Sequence, residues 1–201
     1  MQIRELTIPG AWEITPLQRS DDRGIFLEWY RFDLLTKAIG HPLDLRQANT
    51  SVSKRGVVRG IHFADVPRGQ AKYVTVTHGA VLDYVVDIRV GSPTFGKWDS
   101  VRLDTVDRRA IYLGEGLGHA FVALTDDATV SYLVSDTYNP TAEHGIDPLD
   151  ADIALVFPDE AGEALLSSKD TDAPTLAEAA ERGLLPTFAA VNSFYTSLDG
   201  R

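Results

Sequence analysis

Residues 72–90 read KYVTVTHGAVLDYVVDIRV and carry the clearest secondary-structure signal in the chain. Valines alternate with threonines up to His78-Gly79, and a run rich in β-branched residues then continues to the end of the segment. Such alternation is typical of a half-buried strand, and a glycine-containing break is typical of a turn. The segment therefore predicts two consecutive strands joined by a tight turn.

The same pattern recurs downstream in short segments that are separated by turn-forming residues. The segments are DSVRL at 99–103, RAIYL at 109–113, HAFVAL at 119–124 and TVSYLVS at 129–135. Strands at this spacing, without helices between them, predict an antiparallel sandwich or barrel and argue against a parallel α/β sheet. An all-β fold of this size is able to hold one small ligand between its sheets.

Two helices are predicted outside this strand-rich region. Residues 32–39 end before Gly40, which is a frequent C-terminal stop. Residues 174–182 begin with proline and end before Gly183, the usual asymmetry of helix ends. We therefore expect an all-β fold with a few short helices, mainly towards the C-terminus.

Length and composition indicate one globular domain over 1–201, with a β core at about 1–157 and a partly helical segment at about 158–201. The formal net charge is −10 and no lysine- or arginine-rich run is present, which argues against a nucleic-acid binder. The absence of cysteine excludes disulfides and thiolate sites. Because neither a signal peptide nor a membrane-spanning segment is apparent, we expect a cytoplasmic protein.

Several polar side chains in the predicted strands are candidates for chemistry. Within RGVVRGIHF at 55–63, simple alternation puts Arg59 and His62 on opposite faces, unless a bulge at Gly60 changes the register. Taken singly, His62 fits a core histidine as well as a base, Lys72 fits a solvated edge residue, and Tyr132 fits a core tyrosine. Together, a histidine, a carboxylate, a phenol and an ammonium form a set suited to proton abstraction beside a carbonyl.

Other kinds of site find less support in the sequence. His62 is followed by Phe63 and Ala64, so no His-x-His pair is available to hold a metal, and the spacing of the other histidines gives no ligand pattern. These other histidines are His41, His78, His119 and His144. No phosphate-binding glycine loop, dinucleotide fingerprint or nucleophile elbow is present.

Long motifs resemble one enzyme family over about residues 1–187. They are DDRGIFLEW at 21–29, RQANTSVSKRGVVRGIHF at 46–63, QAKYV at 70–74, VVDIRVGSPTFGKWDSV at 85–101, YLGEGLGHAFVAL at 112–124, YLVSDTYNPTAEHGIDPLD at 132–150 and LLSSKD at 165–170. In these motifs and their order the chain is similar to the dTDP-4-keto-6-deoxyglucose 3,5-epimerases of the rhamnose pathway. It resembles most their relatives in actinobacterial deoxysugar biosynthesis.

The resemblance implies a cupin-like jelly roll and an isomerase that needs no cofactor. The enzyme would be a homodimer in which an N-terminal segment reaches the neighbouring subunit. His62 would be the base, with Asp170 as its orienting partner. Tyr132 would be the acid on the opposite face of the sugar, and Lys72 would stabilise the enolate oxygen that forms at C4.

The resemblance also implies a nucleotide subsite and a dTDP-4-keto-6-deoxyglucose-like substrate. Phe26, with Trp29 as a further candidate, would stack on the base, and arginines would match the diphosphate oxygens. The residues assigned to substrate binding are Arg23, Phe26, Glu28, Gln47, Asn49, Arg59, His119, Glu143 and Lys169. Two positions depart from the family pattern, Ala64 in place of glutamine and Ala120 in place of glycine, and we expect both near the pocket.

Other functions remain open at this level. A sugar-nucleotide ketoisomerase would use the same histidine and enolate chemistry but would move the carbonyl. A metal-dependent cupin or a non-catalytic sugar-nucleotide binder would keep the fold with a different use of the site. The sequence also leaves open whether C3, C5 or both are inverted.

Overall fold

The computed structural model describes residues 1–198, in which two antiparallel sheets dominate. The strands are β1 (Gln2–Glu5), β2 (Ala11–Thr15), β3 (Gln18–Asp21), β4 (Gly24–Leu27), β5 (Gln47–Ser53), β6 (Val58–Ala64), β7 (Lys72–His78), β8 (Ala80–Val86), β9 (Trp98–Asp104), β10 (Ala110–Leu113), β11 (Gly118–Ala123), β12 (Ala128–Val134) and β13 (Glu143–Gly145). The helices are α1 (Phe32–Ile39), α2 (Ser168–Thr171), α3 (Leu176–Glu181) and α4 (Phe188–Leu198).

The sheet order is that of an antiparallel double-sheet roll, as the sequence predicted. One sheet has six strands in the order β1-β2-β10-β7-β12-β5, and the other has five in the order β13-β6-β11-β8-β9. Consecutive strands β7 and β8 lie in different sheets, so the His78-Gly79 turn carries the chain from one sheet to the other. Strands β3 and β4 form a separate hairpin.

Most of the predicted elements appear within one or two residues of their expected bounds. Helix α1 coincides with the predicted 32–39, and Gly40 caps it in the left-handed conformation. Helix α3 starts at Leu176, two residues later than predicted, because Thr175 and Glu178 form a capping box there. In the segment expected to be partly helical, at about 158–201, residues 199–201 lie outside the described part of the chain.

Three apolar clusters hold the layers together. The first fills the space between the sheets, with Val74 and Val130 from one sheet and Val85 and Phe121 from the other. The second lies on the outer face of the five-stranded sheet, where residues from the C-terminal segment cover it. The third lies on the outer face of the six-stranded sheet under α1. Each sheet thus buries both of its faces. Only the inner faces, which look towards each other, leave room for polar residues to contact a ligand.

A bulge at Gly60 decides what β6 presents to this inner face. His62 pairs with His119 and Arg59 pairs with Phe121, so two residues of β6 stand opposite one residue of β11. Residues directly opposite each other in a ladder point to the same face. Arg59 and His62 therefore share a face, which corrects the simple alternation and confirms the bulge.

None of the helices within residues 1–198 is long and apolar enough to cross a membrane.

The bulge depends on glycine, because Gly60 has a φ of +130° and a Cβ there would lie 2.5 Å from the Ala120 Cβ and 2.6 Å from the His119 carbonyl oxygen. We expect Gly60→Ala to lower the free energy of unfolding by about 2–4 kcal/mol, since strain and overpacking add. Urea unfolding measures the change. Gly24→Ala is the matched control, because Gly24 has the same φ of +130° and a Cβ there would have no atom of another described residue within 4 Å, apart from its chain neighbours. Equal losses in the two variants would contradict this explanation.

Candidate active site

Polar side chains from both sheets converge on the space between them. On the five-stranded sheet, His62 and His119 are direct partners, and Glu143 lies on the same face because Gly145 pairs with His62. On the six-stranded sheet, Tyr132 and Lys72 alternate with the inner core residues. The two groups belong to facing walls, so a ring bound between the sheets would be approached from both sides.

His62 is held by a carboxylate that comes from outside the sheets. Its Nε2 lies 2.7 Å from Asp170 Oδ1, and the His62 side chain is 33% exposed while that of Asp170 is 6% exposed. Burial opposes the ionisation of Asp170, but hydrogen bonds from His62 and Ser167 outweigh it and lower its pKa. The ionised carboxylate therefore orients the ring and leaves Nδ1 free to accept a proton.

The short helix α2 places this carboxylate beside His62. Ser167 is its N-cap, and the Ser167 side chain accepts a hydrogen bond from the Asp170 backbone N–H. The same Ser167 Oγ donates to Asp170 Oδ2 at 2.7 Å, so both carboxylate oxygens are occupied. In the sequence, the role of Asp170 was implied by the resemblance alone.

Lys72 and Tyr132 form the opposite wall. Burial lowers the pKa of Lys72, while Glu143 and then Asp83 act in the other direction. Burial raises the pKa of Tyr132, with Arg59 opposing and Glu143 reinforcing the shift. At neutral pH Tyr132 is therefore a protonated phenol, which is the form that can donate a proton.

His119 is buried and is paired with Asp83, a residue that the sequence reasoning missed. His119 Nε2 lies 3.0 Å and 2.9 Å from the two oxygens of Asp83, whose side chain is fully buried. Burial raises the pKa of Asp83, and His119, followed by Lys72, opposes this shift. An aspartate in the middle of the apolar run VLDYVV was the available signal, since a buried carboxylate requires a partner.

Three more of the predicted binding residues reach the same space. Gln47 and Asn49 stand opposite Val134 and Tyr132 on the inner face, and the Gln47 amide donates to Asn49 Oδ1 at 2.7 Å. Arg59 donates from Nε to Ser53 Oγ at 3.1 Å, which bridges the two sheets. These groups supply a cation and amides beside the histidine and the phenol.

Four of the predicted binding residues do not form part of this constellation within the protomer. Arg23 and Glu28 are exposed and pair with Asp21 and Arg31, near neighbours in the chain. Phe26 is 67% exposed on the β3–β4 hairpin. Lys169 is exposed beside Asp170, and its charge helps to lower the pKa of that carboxyl.

The two positions that depart from the family pattern face different ways. Ala64 is half-buried and lies on the same face as His62, opposite Glu143. Ala120 is fully buried in the cluster on the outer face of the five-stranded sheet, with Tyr84 and Val122. The expectation that Ala120 lies near the pocket is therefore wrong, because strand alternation turns it away from the inner space.

The described residues, 1–198, contain no group of three or more His, Asp or Glu side chains arranged to hold a metal ion. His144, one of the histidines considered for such a site, instead pairs with Asp65 at 2.8 Å. The arrangement between the sheets combines an oriented imidazole, a protonated phenol and a half-buried ammonium. These groups are suited to removing a proton beside a carbonyl, stabilising the resulting oxyanion and returning a proton.

Comparisons with known proteins place these features in a family. Residues 5–178 match the family model described as dTDP-4-dehydrorhamnose 3,5-epimerase. A dTDP-4-dehydrorhamnose 3-epimerase of Streptomyces niveus is 61% identical, over 94% of this chain and 90% of the relative. A dTDP-4-dehydrorhamnose 3,5-epimerase of Mycolicibacterium smegmatis is 57% identical, over 98% and 97%.

A solved structure agrees with this match. The crystal structure of a 4-keto-6-deoxy sugar epimerase from the novobiocin biosynthetic gene cluster of Streptomyces spheroides superposes with a TM-score of 0.92. It is 60% identical, and the match covers 95% of each chain.

The lowered pKa of Asp170 predicts how its replacement depends on pH. An ionised carboxylate with a folded-state pKa below the unfolded value of about 3.9 stabilises the fold above that value, and the contribution is lost as pH falls through the folded pKa. We expect Asp170→Asn to cost roughly 1–3 kcal/mol near neutral pH and progressively less in acid. Urea unfolding from neutral to acid pH measures this. Asp172→Asn, at an exposed position two residues on, is the control, and a cost for Asp170→Asn that is constant with pH would contradict the pairing.

Proposed function

The chain belongs to the dTDP-4-dehydrorhamnose 3,5-epimerase family, and from this membership we propose that it inverts carbon C3 of a dTDP-4-keto-6-deoxyglucose-like substrate without a cofactor. The protein is an isomerase that epimerises a dTDP-linked 4-keto-6-deoxy sugar. C3 is the carbon named for both kinds of relative, the 3-epimerases and the 3,5-epimerases. The observation that carries the proposal is the pairing of His62 and Asp170 on one wall with Tyr132 and Lys72 on the other.

The first step is a proton transfer from carbon to His62. Its Nε2 is engaged by Asp170, so Nδ1 accepts the C3 proton while the C–H electron pair moves to form the C3–C4 double bond. The C4 carbonyl oxygen becomes an enolate oxygen. Asp170 stabilises the imidazolium that forms, since it remains ionised at neutral pH.

Lys72 and Tyr132 complete the reaction from the facing sheet. The Lys72 ammonium stabilises the negative charge on the C4 oxygen, in a site where burial strengthens the attraction. Tyr132 then donates its phenolic proton to C3 from the opposite face, and the ketone re-forms as the electron pair returns. Proton exchange with water restores the neutral imidazole and the phenol.

The nucleotide half requires groups that one protomer does not bring together. Gln47, Asn49 and Arg59 lie on the inner face, but Arg23 and Phe26 stand on an exposed hairpin. We propose a homodimer in which the β3–β4 hairpin of each subunit completes the nucleotide subsite of its neighbour. The hairpin supports this arrangement because its apolar residues Ile25 and Phe26 are 53% and 67% exposed, a costly arrangement for a free surface.

Exchange with solvent tests the chemistry directly. In heavy water with dTDP-4-keto-6-deoxyglucose, we expect proton NMR to show deuterium entering C3. His62→Asn should abolish the exchange while dTDP binding persists, because only the base is lost. Tyr132→Phe should slow product formation more than C3 exchange, because abstraction precedes protonation from the far face.

The outcomes separate the proposed reaction from its alternatives. An absence of exchange in the wild type with a metal chelator present would rule out cofactor-free epimerisation. A product in which the carbonyl has moved would identify a ketoisomerase. Separate integration of the C3 and C5 signals reports whether C5 is also inverted.

Subunit complementation tests the shared site. Mixing unfolded His62→Asn and Phe26→Ala variants and refolding them together gives mixed dimers with one complete site, formed by His62 of one subunit and Phe26 of the other. We expect about a quarter of wild-type activity to return, since half of the dimers are mixed and each has one of two sites. If each protomer uses its own hairpin, no activity returns above that of the separate variants.

A further inference from the structure

Helix α4 lies beyond the residues that match the family model, which end at residue 178, yet it is seated in a slot formed by the loop before β11. A Cβ on Gly116 would meet Val191 Cγ2 at 2.5 Å, and a Cβ on Gly114 would clash with the Tyr195 hydroxyl. Val191 is fully buried. Two glycines therefore make room for two residues that are one helical turn apart, Val191 and Tyr195.

A chain of hydrogen bonds leads from this helix into the six-stranded sheet. The Tyr195 hydroxyl donates to Glu115 Oε2 at 2.8 Å and accepts from the Glu115 backbone N–H at 2.9 Å. The second carboxylate oxygen, Oε1, accepts from Ser135 Oγ at 2.8 Å. Glu115 is only 5% exposed, so its carboxylate relies on these two hydroxyls in place of water.

The chain of hydrogen bonds ends next to Lys72. Ser135 Oγ accepts from the Ala71 backbone N–H at 2.8 Å, and the Ser135 N–H donates to the Ala71 carbonyl oxygen at 3.1 Å. Ala71 is thus clamped in both directions one residue before Lys72, the first residue of β7. The backbone that sets the position of the ammonium is fixed from the outer face of the sheet.

We propose that Tyr195 is a positioning residue for Lys72, and that α4 is in this way a functional part of the site. The inference rests on the proposed role of Lys72 as the group that stabilises the C4 enolate. Oxyanion stabilisation depends steeply on where the cation is held, because the charge must meet an oxygen whose position the rest of the site fixes. The path runs from Tyr195 through Glu115 and Ser135 to the Ala71–Lys72 peptide.

The removal of one hydroxyl is a mild way to break this path. Tyr195→Phe keeps the ring that stacks on His41 and removes the hydroxyl that bonds Glu115. Glu115 and Ser135 border a cavity of about 510 Å³, and we expect a water molecule from this cavity to take the place of the Tyr195 hydroxyl once it is removed. We expect Tyr195→Phe to fold and to bind dTDP with unchanged stoichiometry and affinity.

The test is steady-state and exchange kinetics of Tyr195→Phe per dTDP-binding site. We expect kcat for C3 exchange to fall about 5- to 20-fold with KM within about twofold of the wild type, because positioning is lost and binding is kept. Thr196→Ala is the matched control, since it removes a hydroxyl of the same helix whose bond within residues 1–198 is to the Asn192 carbonyl, and it should leave kcat unchanged. Glu115→Gln, which alters the middle of the path, should act in the same direction as Tyr195→Phe.

A double-mutant cycle separates positioning from general damage to the fold. In a Lys72→Arg background, the guanidinium already occupies a position different from that of the ammonium. Adding Tyr195→Phe there should lower kcat by less than about twofold. An equal loss in both backgrounds, or an unchanged kcat in Tyr195→Phe alone, would overturn the inference. A wild-type enzyme without C3 exchange would instead overturn the proposed function, so the two failures are distinguishable.

Discussion

The site depends on one constraint, which is that polar and ionisable groups placed between two packed sheets must have partners. Sheets pack about 10 Å apart, so a side chain on the inner face has little water of its own. His62 meets this requirement with Asp170, and His119 meets it with Asp83. Lys72 has no partner at contact distance among the described residues but lies within the fields of Glu143 and Asp83. This leaves the ammonium as the group most ready to meet a new negative charge, such as an enolate oxygen.

The bulge in β6 brings two of these polar groups to the same inner face. With regular alternation, Arg59 and His62 would point to opposite faces, and one of them would enter the outer apolar cluster. The bulge at Gly60 and Ile61, with its one extra residue, puts both on the inner face, while Ile61 packs outside with Val58. One local irregularity therefore places an imidazole and a guanidinium on the same inner face, and it is possible because Gly60 has no side chain.

The sequence predicted the parts of the fold that local patterns encode. The alternating valines and threonines of 72–78 and the apolar runs up to 135 gave the strands, and Gly40 gave the end of α1. The polar N-terminal strands escaped prediction, because QIRE and QRSD are largely exposed and carry no apolar alternation. Asp83 escaped because its partner His119 is 36 residues away in the sequence. The bounds of helix α4 were not predicted, because the helix packs into space left by Gly114 and Gly116, which are distant in the sequence.

The groups proposed for catalysis are chemically suited to serve one carbon or two, and this bears on why relatives of both kinds are so similar to this chain. C3 and C5 flank the same C4 ketone, so a single enolate-stabilising cation acts for proton removal at either carbon. Under the proposed mechanism, inversion of both carbons requires the ring to turn, so that C3 and C5 face His62 and Tyr132 one after the other. A 3-epimerase and a 3,5-epimerase at 61% and 57% identity agree with a difference in how the sugar is held. Ala64 fits that role better than Ala120, since it is the one that shares the inner face with His62.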